Sequence, residues 1–318
     1  MTKLFNHLND FDLISVQGLD SLKFLQGQLT CNVDRVSTKQ SIAGAYCNLK
    51  GRVITDFRIF IRDDIYFLQT QKGMGEILQK TLDKYIVFSK AKTKSVSEDF
   101  RRIGLFGEGA DRLLQSIYAQ LPQQEGGCLQ TDELTIIKSG GPQLRYEIYY
   151  YGGNSTEAER LMAESEEADK EYWQLADIEA GIVHISPATQ EMYTPQVLNY
   201  DICGLVDFKK GCYTGQEIVA RMHYRATAKK RLYHLVADTT RADSLVLTLA
   251  GSENRAEIIN VCVQTDTTHL LAILPCEELH NQPVLTVTAQ RAEIIEQVPA
   301  RLIPLPCFEN IGQESVQF

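Results

Sequence analysis

No stretch of this chain approaches the roughly 18 consecutive apolar residues that a membrane-spanning helix needs. Its opening residues, MTKLFNHLND, also lack an apolar signal-peptide core. Both lacks point to a soluble protein with no membrane partner, and the expected location is cytoplasmic. Excess positive charge is missing too, since 32 Lys and Arg stand against 41 Asp and Glu, a formal net charge of −9. That balance argues against broad, nonspecific adhesion to nucleic acid, which is driven by neutralising phosphates with cations. Metal-ligand spacing is absent: the eight cysteines, at 31, 47, 128, 203, 212, 262, 276 and 307, form no CxxC, and no histidine pair stands at ligand spacing. Scattered cysteines in a chain without a secretion signal read as reduced thiols. Neither a structural zinc nor a protein-held iron–sulfur cluster is expected. Internal repeats, low-complexity tracts and a coiled-coil seam are lacking as well, and a monomer is expected.

What is present is an ordinary globular composition, 44% hydrophobic and 23% charged over 318 residues, enough chain for two or three domains. LDSLKFLQGQLT predicts a short helix from about Asp20 that ends at Gly27. RVITDFRIFI and IYFLQT are β-rich runs parted by the charged RDD, which predicts a hairpin. A helical pattern follows between Gly73 and Leu82, and RRIGLFG reads as a strand leading into a helix near Ala110. ELTIIK and LRYEIYY are strands flanking the turn SGGPQ, and STEAERLMAESEEADK reads as one surface helix. The order is that of an α+β body with ferredoxin-like split βαβ units. From about residue 230 the character changes to short β runs, including RLYHLVA, SLVLTLA, EIINVCV, LLAILP and PVLTVTA, which predict a C-terminal β-barrel over 230–318 after an α+β region over 1–229.

The most informative stretch is KKGCYTGQE, Lys209 to Glu217. Thr214 and Glu217 stand at the spacing of a capping box, which predicts a helix start near Gly215, with Ile218, Val219 and Met222 as its buried stripe. Cys212 would then lie just upstream of a helix N-terminus, beside Lys209 and Lys210. Each of these influences favours a thiolate, so a reactive cysteine is the functional reading; plain burial is the alternative. Gly211 and Gly215 suit a tight loop that a ligand approaches closely.

Other candidates are weaker. GLFGEGADR offers Gly107 and Gly109, but Arg112 stands where a dinucleotide fingerprint needs its third glycine, and QKGMGE lacks phosphate-loop spacing. Glu179 lies on a predicted helix among apolar neighbours, and Asp56 lies inside a β-rich run. Each either serves a ligand or forms an ion pair, for instance with Arg221 or Arg58. RMHYRATAKKR, Arg221 to Arg231, gathers five cations beside His223 and Tyr224 and reads either as a solvated loop or as a contact for an anionic ligand or RNA.

KGCYTGQE resembles the signature of the YgfZ family, folate-binding proteins related to the aminomethyltransferase (T-protein) of the glycine cleavage system. VQGLDSLKFLQGQLTCNV and YCNLKGRVITDFRIF resemble the N-terminal family blocks, and DIEAGIVHIS with YTPQVLNYD resembles the region before the signature, so the likeness covers about the first 230 residues. The resemblance implies a T-protein-like, three-domain ring with a folate channel and a C-terminal β-barrel, binding tetrahydrofolate or a derivative. It further implies support for the assembly or repair of iron–sulfur enzymes, including those that methylthiolate tRNA, with any effect on tRNA indirect. By the same carry-over Cys212 is the functional thiol, with Lys210 beside it. Glu179 meets the pterin edge, and Gly211, Tyr213, Gly215, Gln216, Glu217 and Arg221 complete the folate site. Two departures from the T-protein stand out: Thr55-Asp56 replaces a paired Asp-Asp, and Cys212 replaces an acidic residue. With one acid missing, Asp56 is the remaining candidate base, and aminomethyl transfer becomes the alternative reading together with a noncatalytic RNA scaffold.

Overall fold

The computed structural model describes residues 2–153, 155–225, 228–240, 244–250, 256–279, 284–291 and 294–309. The chain divides into two compact units, the first comprising Met1–Lys170, His184–Pro195 and Gly204–Arg221, the second Glu171–Val183, Gln196–Cys203 and Met222–Phe318.

The first unit holds two sheets. Strands β1 (Leu4–His7), β2 (Phe11–Gln17), β3 (Ile42–Cys47), β4 (Val53–Arg62), β5 (Ile65–Gln71) and β6 (Lys92–Ser95) come first in the chain. They are followed by β7 (Phe100–Phe106), β8 (Cys128–Gln130), β9 (Leu134–Lys138), β10 (Arg145–Tyr151) and β11 (Glu166–Glu167). One sheet runs β3-β4-β5-β2-β6 and the other β11-β1-β7-β10-β9-β8. The expected hairpin joins β4 to β5 through Asp63 and Asp64, both at positive φ (52° and 58°), the backbone of a two-residue turn that follows the strand twist.

Each sheet packs helices on one face. Helix α1 (Ser21–Gln28) buries Phe24 and Leu25, and α2 (Gly75–Ile86) buries Leu78, Leu82 and Ile86 at four-residue spacing against the first sheet. Gly27 lies inside α1 rather than ending it: its backbone is not left-handed, and Leu29 closes the helix in extended geometry. Helices α3 (Ala110–Ile117) and α4 (Thr156–Ala163) cover the second sheet. The expected long acidic helix is broken. The chain leaves α4 at Glu164, adds β11 in parallel beside β1, and begins α5 (Lys170–Ala180) only afterwards. Leu13, Phe60, Phe67, Phe100, Ile137 and Tyr149 close a third core between the sheets.

The second unit is a six-stranded antiparallel sheet. Its strands are β12 (Lys230–Ala237), β13 (Ser244–Leu249), β14 (Glu257–Val263), β15 (Thr268–Pro275), β16 (Leu285–Arg291) and β17 (Ile294–Ile303), in the order β13-β16-β17-β12-β15-β14. The edge strands approach at one bond, where Ala256 donates its N–H to Leu247 O at 3.3 Å, and among the described residues no ladder joins β13 to β14, so the sheet is a partly closed barrel. The unit is larger than the segment 230–318 alone. From Glu171 on, α5 belongs to it, and so do residues 196–203, where Asn199 Nδ2 donates to Leu232 O at 2.8 Å. No helix among the described residues is long and apolar enough to cross a membrane.

Candidate functional site

The signature segment is built from the loop that precedes it. Thr30 Oγ1 donates to Leu205 O at 2.7 Å, Asp207 N–H donates to Thr30 O at 3.0 Å, and Asp207 Oδ1 accepts from Lys209 N–H at 2.8 Å. These bonds lay residues 205–209 against the end of α1. Lys210 then turns inward: its ammonium donates to Gln26 O (2.8 Å), Leu29 O (2.6 Å) and Cys31 O (2.8 Å). An ammonium has three N–H bonds, and all three are taken. Burial pushes Lys210 down to about 8, with only partial relief from the Cys31 thiol and from Asp207 and Asp34. Lys210 is therefore a structural cation, with all three of its N–H bonds on backbone carbonyls.

Beyond Lys210 the loop alternates between solvent and interior. Gly211 and Cys212 are exposed, whereas Tyr213 is buried, with its ring 5.3 Å from the Lys210 ammonium. The Tyr213 hydroxyl is enclosed without a hydrogen-bond partner, and burial raises its pKa. Cys212 is the exposed one of the eight cysteines; Cys31 and Cys47 are enclosed, and burial pushes both of their thiols up to about 12.

The capping box does not form. Helix α6 (Gln216–Arg225) begins one residue later than expected because Gly215 sits at φ +81°, which swings Thr214 away from the helix start. Thr214 Oγ1 donates instead to Gln28 Oε1 at 3.1 Å, and Gln216 Oε1 accepts from Tyr213 N–H at 3.3 Å. Glu217 is exposed on the first turn, Val219 is buried, and Ile218 and Met222 are half-buried. Gly215 is required twice over: its φ is left-handed, and an added Cβ would stand 2.3 Å from Asn48 O.

Asp56 is 5% exposed, and both its oxygens are engaged: Oδ2 stands 2.8 Å from His184 Nδ1, and Oδ1 accepts from Ile185 N–H at 2.7 Å. It does not pair with Arg58, which reaches Glu147 Oε1 at 3.1 Å in the polar contact between the two sheets. Asp56 and Arg58, two positions apart on β4, lie on the same face of the strand, so the exchange comes from what packs over each: residues 184–185 over Asp56 and Glu147 of β10 over Arg58. Thr55, in place of a second acid, is buried with its hydroxyl 2.6 Å from Thr70 Oγ1. His184 is the site residue the sequence reasoning missed; its signal was a lone histidine in the apolar run GIVHIS.

The remaining candidates are placed as follows. Glu179 is half-buried near the end of α5 in the second unit, and Arg221 is exposed on α6 at the end of the first. Of the basic stretch, Ala226 and Thr227 lie outside the described residues. Arg231 is occupied, donating to Asp201 through both terminal nitrogens (3.0 and 2.9 Å) and to Gln196 O at 3.1 Å, so it holds residues 196–201 rather than a ligand. No group of three or more His, Cys, Asp and Glu among the described residues could hold a metal ion.

One feature fits a bound ligand: the Tyr213 hydroxyl is an enclosed polar atom without a hydrogen-bond partner.

No family model matches the chain. The "tRNA-modifying protein YgfZ" of Hamiltonella defensa subsp. Acyrthosiphon pisum is 32% identical over 244 residues, covering 74% of this chain and 70% of that one. Its namesake from Yersinia pestis is 33% identical over 236 residues, covering 74% and 71%. In three dimensions the glycine cleavage system aminomethyltransferase T of Bartonella henselae is similar over 96% of this chain and 86% of its own, with a TM-score of 0.76 at 15% identity. The chain has that aminomethyltransferase's α+β fold.

Proposed function

Because the chain belongs to the YgfZ family, we propose that it is a cytoplasmic, monomeric, tetrahydrofolate-binding protein that serves tRNA modification by supporting the assembly or repair of iron–sulfur enzymes through the Cys212 thiol. The observation that carries this reading is the construction of the signature loop. A buried cation and a left-handed glycine hold the backbone on either side of Cys212 while the thiol itself stays in solvent. A cysteine kept only for packing would be enclosed, as Cys31 and Cys47 are.

In this reading Glu179 accepts hydrogen bonds from the aminopterin edge, Tyr213 offers its enclosed hydroxyl, and the backbone of Gly211 and Gly215 admits close approach. Gln216, Glu217 and Arg221 complete the polar surroundings. Bound folate supplies the capacity to carry a one-carbon unit. The protein's own part is to orient the ligand and to present the thiol to a partner enzyme.

Aminomethyl transfer is the second reading, favoured by the fold of the Bartonella henselae aminomethyltransferase. Against it, Thr55 stands where that reaction's paired acid is expected, and both Asp56 oxygens are already engaged by His184 and Ile185. A carboxylate so held is a weak candidate for the base that manages the folate nitrogen proton.

The test is anaerobic calorimetry with tetrahydrofolate on the wild type, Glu179→Ala and Cys212→Ala, followed by complementation of a deletion strain. Binding that is lost in Glu179→Ala and kept in Cys212→Ala, with complementation lost in Cys212→Ala, is the expected result. An absence of binding by the wild type removes the folate reading, and full complementation by Cys212→Ala removes the thiol.

A further inference from the structure

Beside the signature loop the first unit carries a cleft of about 700 Å³. Its wall is cationic in a chain whose net charge is −9: Lys50 and Arg52 come from the turn between β3 and β4, and Lys84 from the last turn of α2, against one carboxylate, Glu191. All three cations are exposed, and Arg52 spends one N–H on Met192 O at 2.7 Å. Tyr85, next to Lys84, is 44% exposed and lines the same cleft, and the Thr214 side of the signature loop lies on its wall.

The cationic turn is rigid. Asn48 Oδ1 accepts from Lys50 N–H (2.9 Å) and Arg52 N–H (3.0 Å), closing the turn on itself. Gly51 at φ +68° lets Ile218 of α6 press against it, since an added Cβ would stand 2.9 Å from Ile218 Cγ2. On the other side Gly215 presses on Asn48 O. Lys50 and Arg52 are therefore fixed to the segment that carries Cys212.

We propose that this cleft binds single-stranded RNA, with phosphates on Lys50, Arg52 and Lys84 and a base stacked on Tyr85. Spaced cations beside an exposed aromatic ring are what a flexible phosphate chain with unpaired bases requires. The RNA would reach the protein directly, at a place other than the basic stretch 221–231, and beside the loop that presents the thiol. The inference rests on the tRNA side of the proposed function and not on folate.

The experiment is fluorescence anisotropy of the full chain, without folate, with a labelled ten-nucleotide oligouridine between 50 and 200 mM salt. Three neutralised phosphates predict a log–log salt slope of about −2, and Lys50→Glu with Lys84→Glu should remove about 1.4 of it and weaken binding by at least about tenfold. Tyr85→Ala should cost about tenfold while leaving the slope unchanged. Both sets of changes lie on exposed side chains, and thermal melting of each variant checks that the fold is kept. No binding by the wild type overturns the proposal, as does binding indifferent to Lys50 and Lys84. Equal competition by uridine monophosphate or inorganic phosphate also overturns it, because the site would then hold an isolated phosphate rather than a strand. Folate plays no part in this readout, so a failed folate titration and a failed RNA titration remain separate results.

Discussion

Asp56 and His184 are 128 positions apart in the chain and 2.8 Å apart in the fold. Their contact, with the Ile185 N–H on the other carboxylate oxygen, fastens residues 184–186 to the middle of β4. Asp56→Ala removes both bonds and leaves an enclosed N–H unpaired, so a loss of about 2–3 kcal/mol is expected in urea unfolding. Asp56→Asn keeps an acceptor for Ile185 and should lose about 1 kcal/mol. Equal losses in the two variants would refute the two-bond arrangement.

Lys210 is the second point of dependence. Lys210→Met fits the stem but strands three carbonyls, and a loss of about 3 kcal/mol is expected. Hydrogen exchange should quicken at residues 207–216 and around Leu29, whereas the sheet amides of β7 and β10 should exchange as before. Unchanged exchange in the signature loop would mean that the ammonium does not hold it.

The two glycines of the signature separate cleanly. Gly215→Ala puts a side chain at φ +81° and within 2.3 Å of a carbonyl oxygen, so a loss above about 1 kcal/mol is expected. Gly211→Ala meets nothing within 4 Å, and its stability should stay within about 0.5 kcal/mol of the wild type. Denaturant midpoints of the two variants decide the matter.

In the barrel, His234 is enclosed beside His269, with Nε2 and Nδ1 of the two rings 3.1 Å apart. Burial, reinforced by His269, pushes His234 from 6.5 down to about 4. The unfolded chain therefore binds a proton that the folded barrel refuses across that interval, so stability is full above pH 6.5 and falls as the pH drops toward 4. His234→Leu should flatten melting temperature against pH in this window. An unchanged slope would assign the acid sensitivity elsewhere.

Much of this architecture was legible in local pattern. The β4–β5 hairpin could be read because two alternating runs flank a short charged break, and the barrel strands because turn residues punctuate apolar runs. The Cys212 loop was legible as a motif but not as a geometry. Thr214 and Glu217 have capping-box spacing, yet the left-handed Gly215 between them rotates the threonine toward Gln28, and spacing alone carries no sign of φ. Lys210 reads as a surface charge until the end of α1 supplies three carbonyls to enclose it. The partner of Asp56 was hidden for another reason, because a contact across 128 positions leaves no periodicity to detect. Arg231 looked free for the same reason, its partner Asp201 lying 30 positions away.

The Lys210 ammonium occupies a ring of backbone oxygens of the kind in which other proteins seat a potassium ion. Here the cation is part of the chain. It cannot be dialysed away, chelated or exchanged for sodium, so the order of the Cys212 loop is decoupled from the metal ions of its surroundings and answers instead to the proton that keeps the ammonium charged.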